Sequence, residues 1–361
     1  MQEKVFTATG SPNIALIKYW GQRNEELVLP FNSSISMTLR GINQPLMTAT
    51  SVMFSGRLSE DVFYVDGKFE PDPKGAKRVA EAIRARSGTK EHLLMVSYNS
   101  FPKASGIASS ASASATFAFV ASQAQQLQLS PKELSILARL GSGSAARGVY
   151  GGFVRWNHGI QVDGSDSYAE QVFDESYWPE LNDLIVIVSP MPKKVSSNEG
   201  HRLTRDTSPL FSSRPAFAEN GAGVIERALR DRDFEALGIA TMRDSDNMHA
   251  TAETSWPPII YRNADSRRIM EYVTELNEIY GSVVAAYTFD AGPNAHIITT
   301  DEFKGKILEG LNELGFMNVI EAKAGPGPRL LDAEFDLIDN STLLPKEQDM
   351  SSYFSSIKRQ L

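Results

Sequence analysis

The stretch FPKASGIASSASASA, Phe101 to Ala115, puts one glycine and a run of small hydroxyl residues at the point where an apolar helix begins. Gly106 frees the backbone to turn, the first amides of a helix have no intrahelical acceptor, and the helix dipole adds partial positive charge beside them. Such a loop cradles a phosphate. Ser105, Gly106, Ala108, Ser109 and Ser110 would offer amides and hydroxyls, Lys103 a cation, and Ser109 a ligand to a magnesium ion travelling with the phosphate. A helix that merely packs tightly starts with the same composition, so the stretch is weighed with what surrounds it.

On its N-terminal side, Leu93 to Tyr98 reads as a strand running straight into the loop, and the alanine-rich helix continues to about Leu127. Further upstream, short strands are expected at Val5 to Ala8, Ile14 to Tyr19, Leu27 to Leu29, Ile35 to Leu39, Thr48 to Phe54 and Val62 to Tyr64. A helix from Lys74 to Arg86 is broken by Ser87-Gly88. Downstream, Ser130-Pro131-Lys132-Glu133 is a capped helix start, and that helix ends near Leu140. GSGSAARGVYGGFVRW then forms a second loop crowded with glycine and serine. A buried strand from Leu184 to Ser189 follows, led by Asp183. Helices are expected at Phe217 to Arg230, Phe234 to His249 and Ser266 to Tyr280, then a strand from Val283 to Phe289, a turn over Asp290 to Asn294, a strand to Thr299 and a helix-strand pair over Lys304 to Ile320. The class is α+β. No flexible linker or repeat interrupts the chain, so two lobes would share a cleft.

Composition narrows the chemistry. The 361 residues carry a net charge of -8, so no global basic field gathers nucleic acid, and any anion site must be local. With no cysteine, thiolate catalysis and cysteine-held zinc are excluded. No apolar run approaches the ~20 residues a bilayer demands, and Lys18 comes too early for a signal peptide. A cytoplasmic protein without membrane or nucleic-acid partners is expected.

Five motifs stand in order: SPNIALIKYWGQRNEELVLPFNSSISMTL, FPKASGIASSASASA, GSGSAARGVYGGFVRW, KKVSSNEGHRLTRDTS and YTFDAGPNAHI. With DSDNMHATAETSWPPIIY, they resemble the diphosphomevalonate decarboxylase family of the GHMP small-molecule kinase superfamily. The resemblance implies a GHMP-kinase fold: a lobe like ribosomal protein S5 domain 2 over residues 1–185, a C-terminal lobe over 186–345, a tail over 346–361 and a central cleft. It implies an ATP- and magnesium-dependent carboxy-lyase of the mevalonate pathway that phosphorylates the 3-hydroxyl of mevalonate 5-diphosphate, then expels phosphate and carbon dioxide to give isopentenyl diphosphate. A homodimer is the corresponding expectation.

Residue types agree with that chemistry. Asp290 follows an apolar strand, where the resemblance implies a group that orients or deprotonates the 3-hydroxyl; a lone D-x-G is also what an Asx-turn produces. Lys18, if buried in IALIKYW, would need an anionic partner, and pairing with Asp290 would keep that carboxylate ionised; taken alone it also reads as a lysine snorkelling from a strand edge. Arg147 offers a fork for the substrate carboxylate, with Ser142 and Ser144 beside it, though a glycine-rich turn with an exposed arginine reads the same way. Asn13, Tyr19 and Ser197 match substrate-binding positions. Trp20 reads as a core aromatic, Arg205 lies near an expected helix start, His201 and His249 lack metal spacing, and Lys193-Lys194 reads as solvated.

Two departures matter. Gln22 stands where the family usually has lysine, and Lys103 where the phosphate loop usually has threonine. One less charge at position 22 suits a smaller anion. These changes leave open an ATP-independent mevalonate 3,5-bisphosphate decarboxylase giving isopentenyl phosphate. Two readings from other classes also stay open: a mevalonate 3-kinase that stops at the phosphate, and a catalytically inactive binding protein on the same fold.

Overall fold

The computed structural model describes residues 3–101, 109–188 and 194–360. The chain begins with β1 (Phe6–Gly10), β2 (Asn13–Ile17), a small hairpin of β3 (Gln22–Asn24) and β4 (Leu29–Pro30), β5 (Ser34–Gly41), β6 (Thr48–Ser55), β7 (Val62–Val65) and β8 (Lys68–Phe69). Then come α1 (Lys74–Ser87), β9 (His92–Asn99), α2 (Ser109–Ala124), α3 (Pro131–Gly141), a 3-10 turn at Gly143–Ala146, β10 (Phe153–Trp156), β11 (Ala169–Phe173) and β12 (Leu181–Val186). The remainder supplies α4 (Ser197–Thr207), α5 (Arg214–Asp231), α6 (Phe234–Glu253), α7 (Ala264–Tyr280), β13 (Ala285–Phe289), β14 (Ala295–Thr300), α8 (Asp301–Glu313), β15 (Val319–Ala324), β16 (Arg329–Leu331), β17 (Ile338–Asp339), β18 (Leu344–Pro345) and α9 (Met350–Gln360).

Two large sheets organise these elements. The first runs β16-β1-β6-β9-β7-β8, and the second runs β11-β10-β5-β15-β12-β14-β13 with β2 added on β5. Ala322 pairs with Gly41, so the second sheet takes strands from both halves of the sequence and is continuous through β12, which spans residue 185.

Small residues on α2 let it lie close to the first sheet. A Cβ at Gly10 would strike the Thr116 hydroxyl, and Ser112 Oγ meets Thr48 Oγ1 at 2.7 Å. Phe117, Val120 and Ala121 then join Phe63, Val79 and Leu137 in one buried cluster. On the second sheet, α5 and α6 cover one face with Ile225, Leu229 and Leu237, while Ile269, Val273 and Ile307 of α7 and α8 cover the other. Phe354 and Ile357 of α9 close the far face of the first sheet against Met53, Leu94 and Val96.

The expected start of α3 is realised as a capping box. Ser130 Oγ accepts from Glu133 N at 3.3 Å, and Glu133 Oε2 accepts from Ser130 N at 2.8 Å. Two expectations are corrected. Asp183 does not lead its strand but sits inside β12, buried, with Oδ2 2.7 Å from His296 Nδ1. Arg205 is not near a helix start: it lies in the last turn of α4 and donates to the Gln22 carbonyl at 3.0 Å and to Glu25 at 3.1 Å, bracing the β3-β4 hairpin.

Candidate active site

A cleft of about 690 Å³ gathers Asn13, Lys18, Tyr19, Gln22, Ser110, Ser142, Ser144, Arg147, Ser197 and Asp290 along its walls. Two strand ends deliver its central charged pair. β2 ends at Ile17, and the next residue turns its ammonium inward; β13 ends at Phe289, and the next residue turns its carboxylate to meet it. Lys18 Nζ and Asp290 Oδ1 are 2.6 Å apart, with Lys18 3% and Asp290 25% exposed. Burial by itself would raise the Asp290 carboxyl, but the Lys18 ammonium, with His296 and Arg147 further off, outweighs it and holds the group below its ordinary value. Asp290 is therefore an anion at neutral pH, aimed into the cleft.

Arg147 follows the 3-10 turn and is 3% exposed. It donates from Nη1 to Ser34 Oγ at 2.5 Å and from Nη2 to Asn13 Oδ1 at 3.2 Å. Burial pushes it down to about 10, so the guanidinium stays charged at neutral pH. Its Nε and the Asn13 Nδ2 are both buried donors with no acceptor among the described residues. Two unanswered donors on the wall of a cleft are a costly arrangement unless an anion or polar group completes them.

Tyr19 OH accepts from Gln22 Nε2 at 2.6 Å, which leaves its own hydrogen free to point into the cleft. Burial drives that phenol up, so it remains a donor. Ser142 and Ser144 face each other with hydroxyls 3.4 Å apart. Ser197 opens α4, whose cap Ser196 accepts from Glu199 N at 3.2 Å. His201 is buried as a packing group: its Nδ1 accepts from Gly21 N at 2.8 Å, and its ring lies 4.3 Å from Tyr19 and 4.4 Å from Trp20. Trp20 is core, as expected, at 2% exposure.

Ser109 begins α2, and Ser110 brings that first turn, which carries no acidic residue, to the cleft wall. Lys103, Ser105, Gly106 and Ala108 lie outside the described residues, as does the Ser109 side chain, and so does Lys193; Lys194 is exposed. Among the described residues no group of three or more His, Asp or Glu side chains could hold a metal ion.

Sequence reading missed the basic face of α1. Lys74 and Arg78 are one turn apart and both line the cleft. Arg78 Nε is anchored on the Leu140 carbonyl at 2.8 Å, and burial lowers its pKa. Between them, a Cβ at Gly75 would strike the Gly141 carbonyl, so α1 and the end of α3 touch backbone to backbone at the cleft rim. The four-residue spacing of two cations was the available signal.

An ion-paired carboxylate, a buried guanidinium and two helix N-termini in one cleft, between lobes of an α+β fold, define an enzyme that handles a small polyanion. The family described as the diphosphomevalonate decarboxylase-like N-terminal domain matches residues 10–169, and that described as the mevalonate 5-diphosphate decarboxylase C-terminal domain matches residues 183–331. Human diphosphomevalonate decarboxylase is 42% identical over 90% of this chain and 93% of its own length; the Saccharomyces cerevisiae enzyme is 38% identical over 86% and 82%. The solved mevalonate diphosphate decarboxylase of Staphylococcus aureus superposes with a TM-score of 0.83 at 34% identity, covering 91% of this chain and 98% of that one. That of Enterococcus faecalis gives 0.82 at 33%, covering 92% and 100%. The chain belongs to the diphosphomevalonate decarboxylase family, which consists of carboxy-lyases.

Proposed function

We propose that this chain converts mevalonate 5-diphosphate and ATP into isopentenyl diphosphate, carbon dioxide, ADP and phosphate. The observation that carries the reading is the 2.6 Å Lys18–Asp290 contact in the same cleft as the unanswered donors of Arg147 and Asn13. Relatives solved with MVAPP, and with MVAPP, AMPPCP and magnesium, support the same pairing of substrates.

In this reading Asp290 accepts the proton of the 3-hydroxyl as its oxygen bonds to the γ-phosphorus and ADP departs. Lys18 offsets the negative charge that gathers there. The C3–O bond then breaks with its electron pair leaving on phosphate. The C1–C2 pair becomes the alkene bond, and carbon dioxide is released. Arg147 and Asn13 hold the carboxylate so that the breaking C1–C2 bond stays aligned with the departing phosphate. Ser142, Ser144, Ser197 and the Tyr19 hydroxyl complete the substrate's oxygens. Lys74 and Arg78 supply the cations for the diphosphate end, where Gln22 contributes only a neutral amide. The α2 N-terminus, with Ser109 and the loop containing Lys103, Ser105, Gly106 and Ala108, takes the nucleotide phosphates, and Ser109 a magnesium ligand.

A homodimer in the cytoplasm completes the proposal; the family resemblance supports it, and no helix among the described residues is long and apolar enough to cross a membrane. The test is release of labelled carbon dioxide from mevalonate 5-diphosphate or the 3,5-bisphosphate, each with and without ATP. Release from the 5-diphosphate only with ATP is expected. Release from the bisphosphate without nucleotide, and none from the 5-diphosphate, would overturn the reading in favour of the nucleotide-free reaction. A 3-phosphorylated product without carbon dioxide would mark a kinase.

A further inference from the structure

The Lys18–Asp290 contact joins two segments far apart in sequence, and one helix grips both from behind. Lys18 N donates to Asp244 Oδ2 at 2.6 Å. Lys18 O accepts from Arg214 Nη2 at 2.8 Å and from Asn32 Nδ2 at 3.0 Å. Arg214 also holds both Asp244 oxygens, at 2.6 and 3.1 Å, and these two side chains are 0% and 1% exposed. One residue along α6, Ser245 Oγ accepts from Phe289 N at 3.1 Å. One further turn on, His249 Nε2 lies 3.3 Å from the Phe289 carbonyl. Burial, then Arg262 and Lys18, hold His249 down to about 3, so its imidazole is neutral and the nitrogen facing that carbonyl bears the hydrogen.

Phe289 immediately precedes Asp290. The Asp244–His249 stretch of α6, with Arg214, thus engages the main-chain N and O of Lys18 and the main-chain N and O of Phe289. We propose that Arg214, Asp244, Ser245 and His249 are positioning residues that set the Lys18–Asp290 geometry by fixing the backbone that carries each partner. This rests on the catalytic assignment of Lys18 and Asp290 made above. A sealed Arg–Asp pair contributes little net stability over an apolar replacement. Here the pair also engages both main-chain atoms of the one residue whose ammonium must be placed, while Arg214 Nη1 reaches Asn247 Oδ1 at 3.0 Å.

The groups that face Asp290 are Lys18 beyond β2, Arg147 beyond the 3-10 turn and His296 on β14, with His249 on α6 behind them. Loosening the Lys18 backbone weakens the main charge that keeps Asp290 ionised. The acid limb of the pH-rate profile should then move to higher pH, which a purely structural role would not cause.

The experiment measures kcat, KM, the pH profile of kcat/KM and Tm for Ser245→Ala, His249→Gln and Asp244→Asn, in the wild-type and Lys18→Met backgrounds. Misplacement by a fraction of an ångström should lower kcat by about 10-fold in Ser245→Ala and His249→Gln and up to about 100-fold in Asp244→Asn, with KM within about twofold and the acid limb raised. In Lys18→Met, Asp244→Asn should lower the residual turnover no further while costing the same Tm. Wild-type kcat and an unmoved acid limb in both Ser245→Ala and His249→Gln would overturn the proposal, and so would an undiminished effect of Asp244→Asn in Lys18→Met. If Asp244→Asn fails to fold, the other two variants decide. Near-wild-type turnover in Lys18→Met and Asp290→Asn would instead sink the catalytic assignment itself, which separates the two failures.

Discussion

Asp290 is an anion because of what stands around it, and its substitution separates chemistry from fold. Asp290→Asn keeps shape and one acceptor but removes the base, so turnover should fall by ~10² to 10⁴ while Tm changes little. Carbon dioxide release near the wild-type rate would remove it from the mechanism. Because its carboxyl is held below the ordinary 3.8, the acid limb of kcat/KM should also lie below that value, with activity lost only as pH falls through the lowered pKa. Arg147→Lys should lose at least ~10² in kcat, since a point charge cannot serve Ser34, Asn13 and a carboxylate at once; unfolding in place of lost turnover would make Arg147 structural. The proposed trio of Lys18, Arg147 and Asp290 was legible in sequence through the motifs that carry the family resemblance, since each residue alone also suits a strand-edge lysine, an exposed arginine or an Asx-turn. Arg214 and Asp244 were not, because their partner is the backbone of Lys18, and nothing local on α5 or α6 records that contact.

At the scale of elements, what sequence reveals depends on how much apolar surface an element buries. The α3 start carried its own signature, and Ser130→Ala should cost about 1 kcal/mol in denaturant unfolding by removing one half of the capping box. The polar α4 carried almost none: only Gly200, His201 and Thr204 are buried in it, so its extent went unread although Ser197 at its start was matched to a substrate position. The close approach of α1 to α3 is equally silent in sequence. Alanine normally stabilises a helix interior relative to glycine by up to ~1 kcal/mol. Gly75→Ala should do the reverse here, because its methyl meets the Gly141 carbonyl, and should raise KM for the phosphorylated substrate by displacing Lys74 and Arg78. A variant with higher Tm and unchanged KM would contradict both the contact and the role given to these cations.

For the whole molecule, the order of strands and helices was enough for the α+β class, while the make-up of each sheet was not. Pairing of β5 with β15, and of β1 with β16, is decided by tertiary packing between residues at opposite ends of the sequence, which periodicity does not encode. Contacts of α5 with the segments that precede β5 and follow β10 also set the response to acid. Burial opposes ionisation of Glu219, but His158 and the Ser33 amide outweigh it and hold the carboxyl at about 2 against an ordinary 4.5. A depressed pKa stabilises the fold above the unfolded value, so this contribution should be complete above pH 4.5 and vanish as pH falls toward 2. Glu219→Gln should flatten that part of the stability curve, and an unchanged curve would refute the assignment. Finally, β16 and α9 complete a sheet whose central strands, β6 and β9, are synthesised far earlier. On the ribosome β1 emerges with an open edge, and β6 and β9 with an uncovered apolar face, and nearly the whole polypeptide must follow before either is closed. The first sheet cannot be completed in N-to-C order, so its apolar face stays uncovered until residues 329–360 arrive.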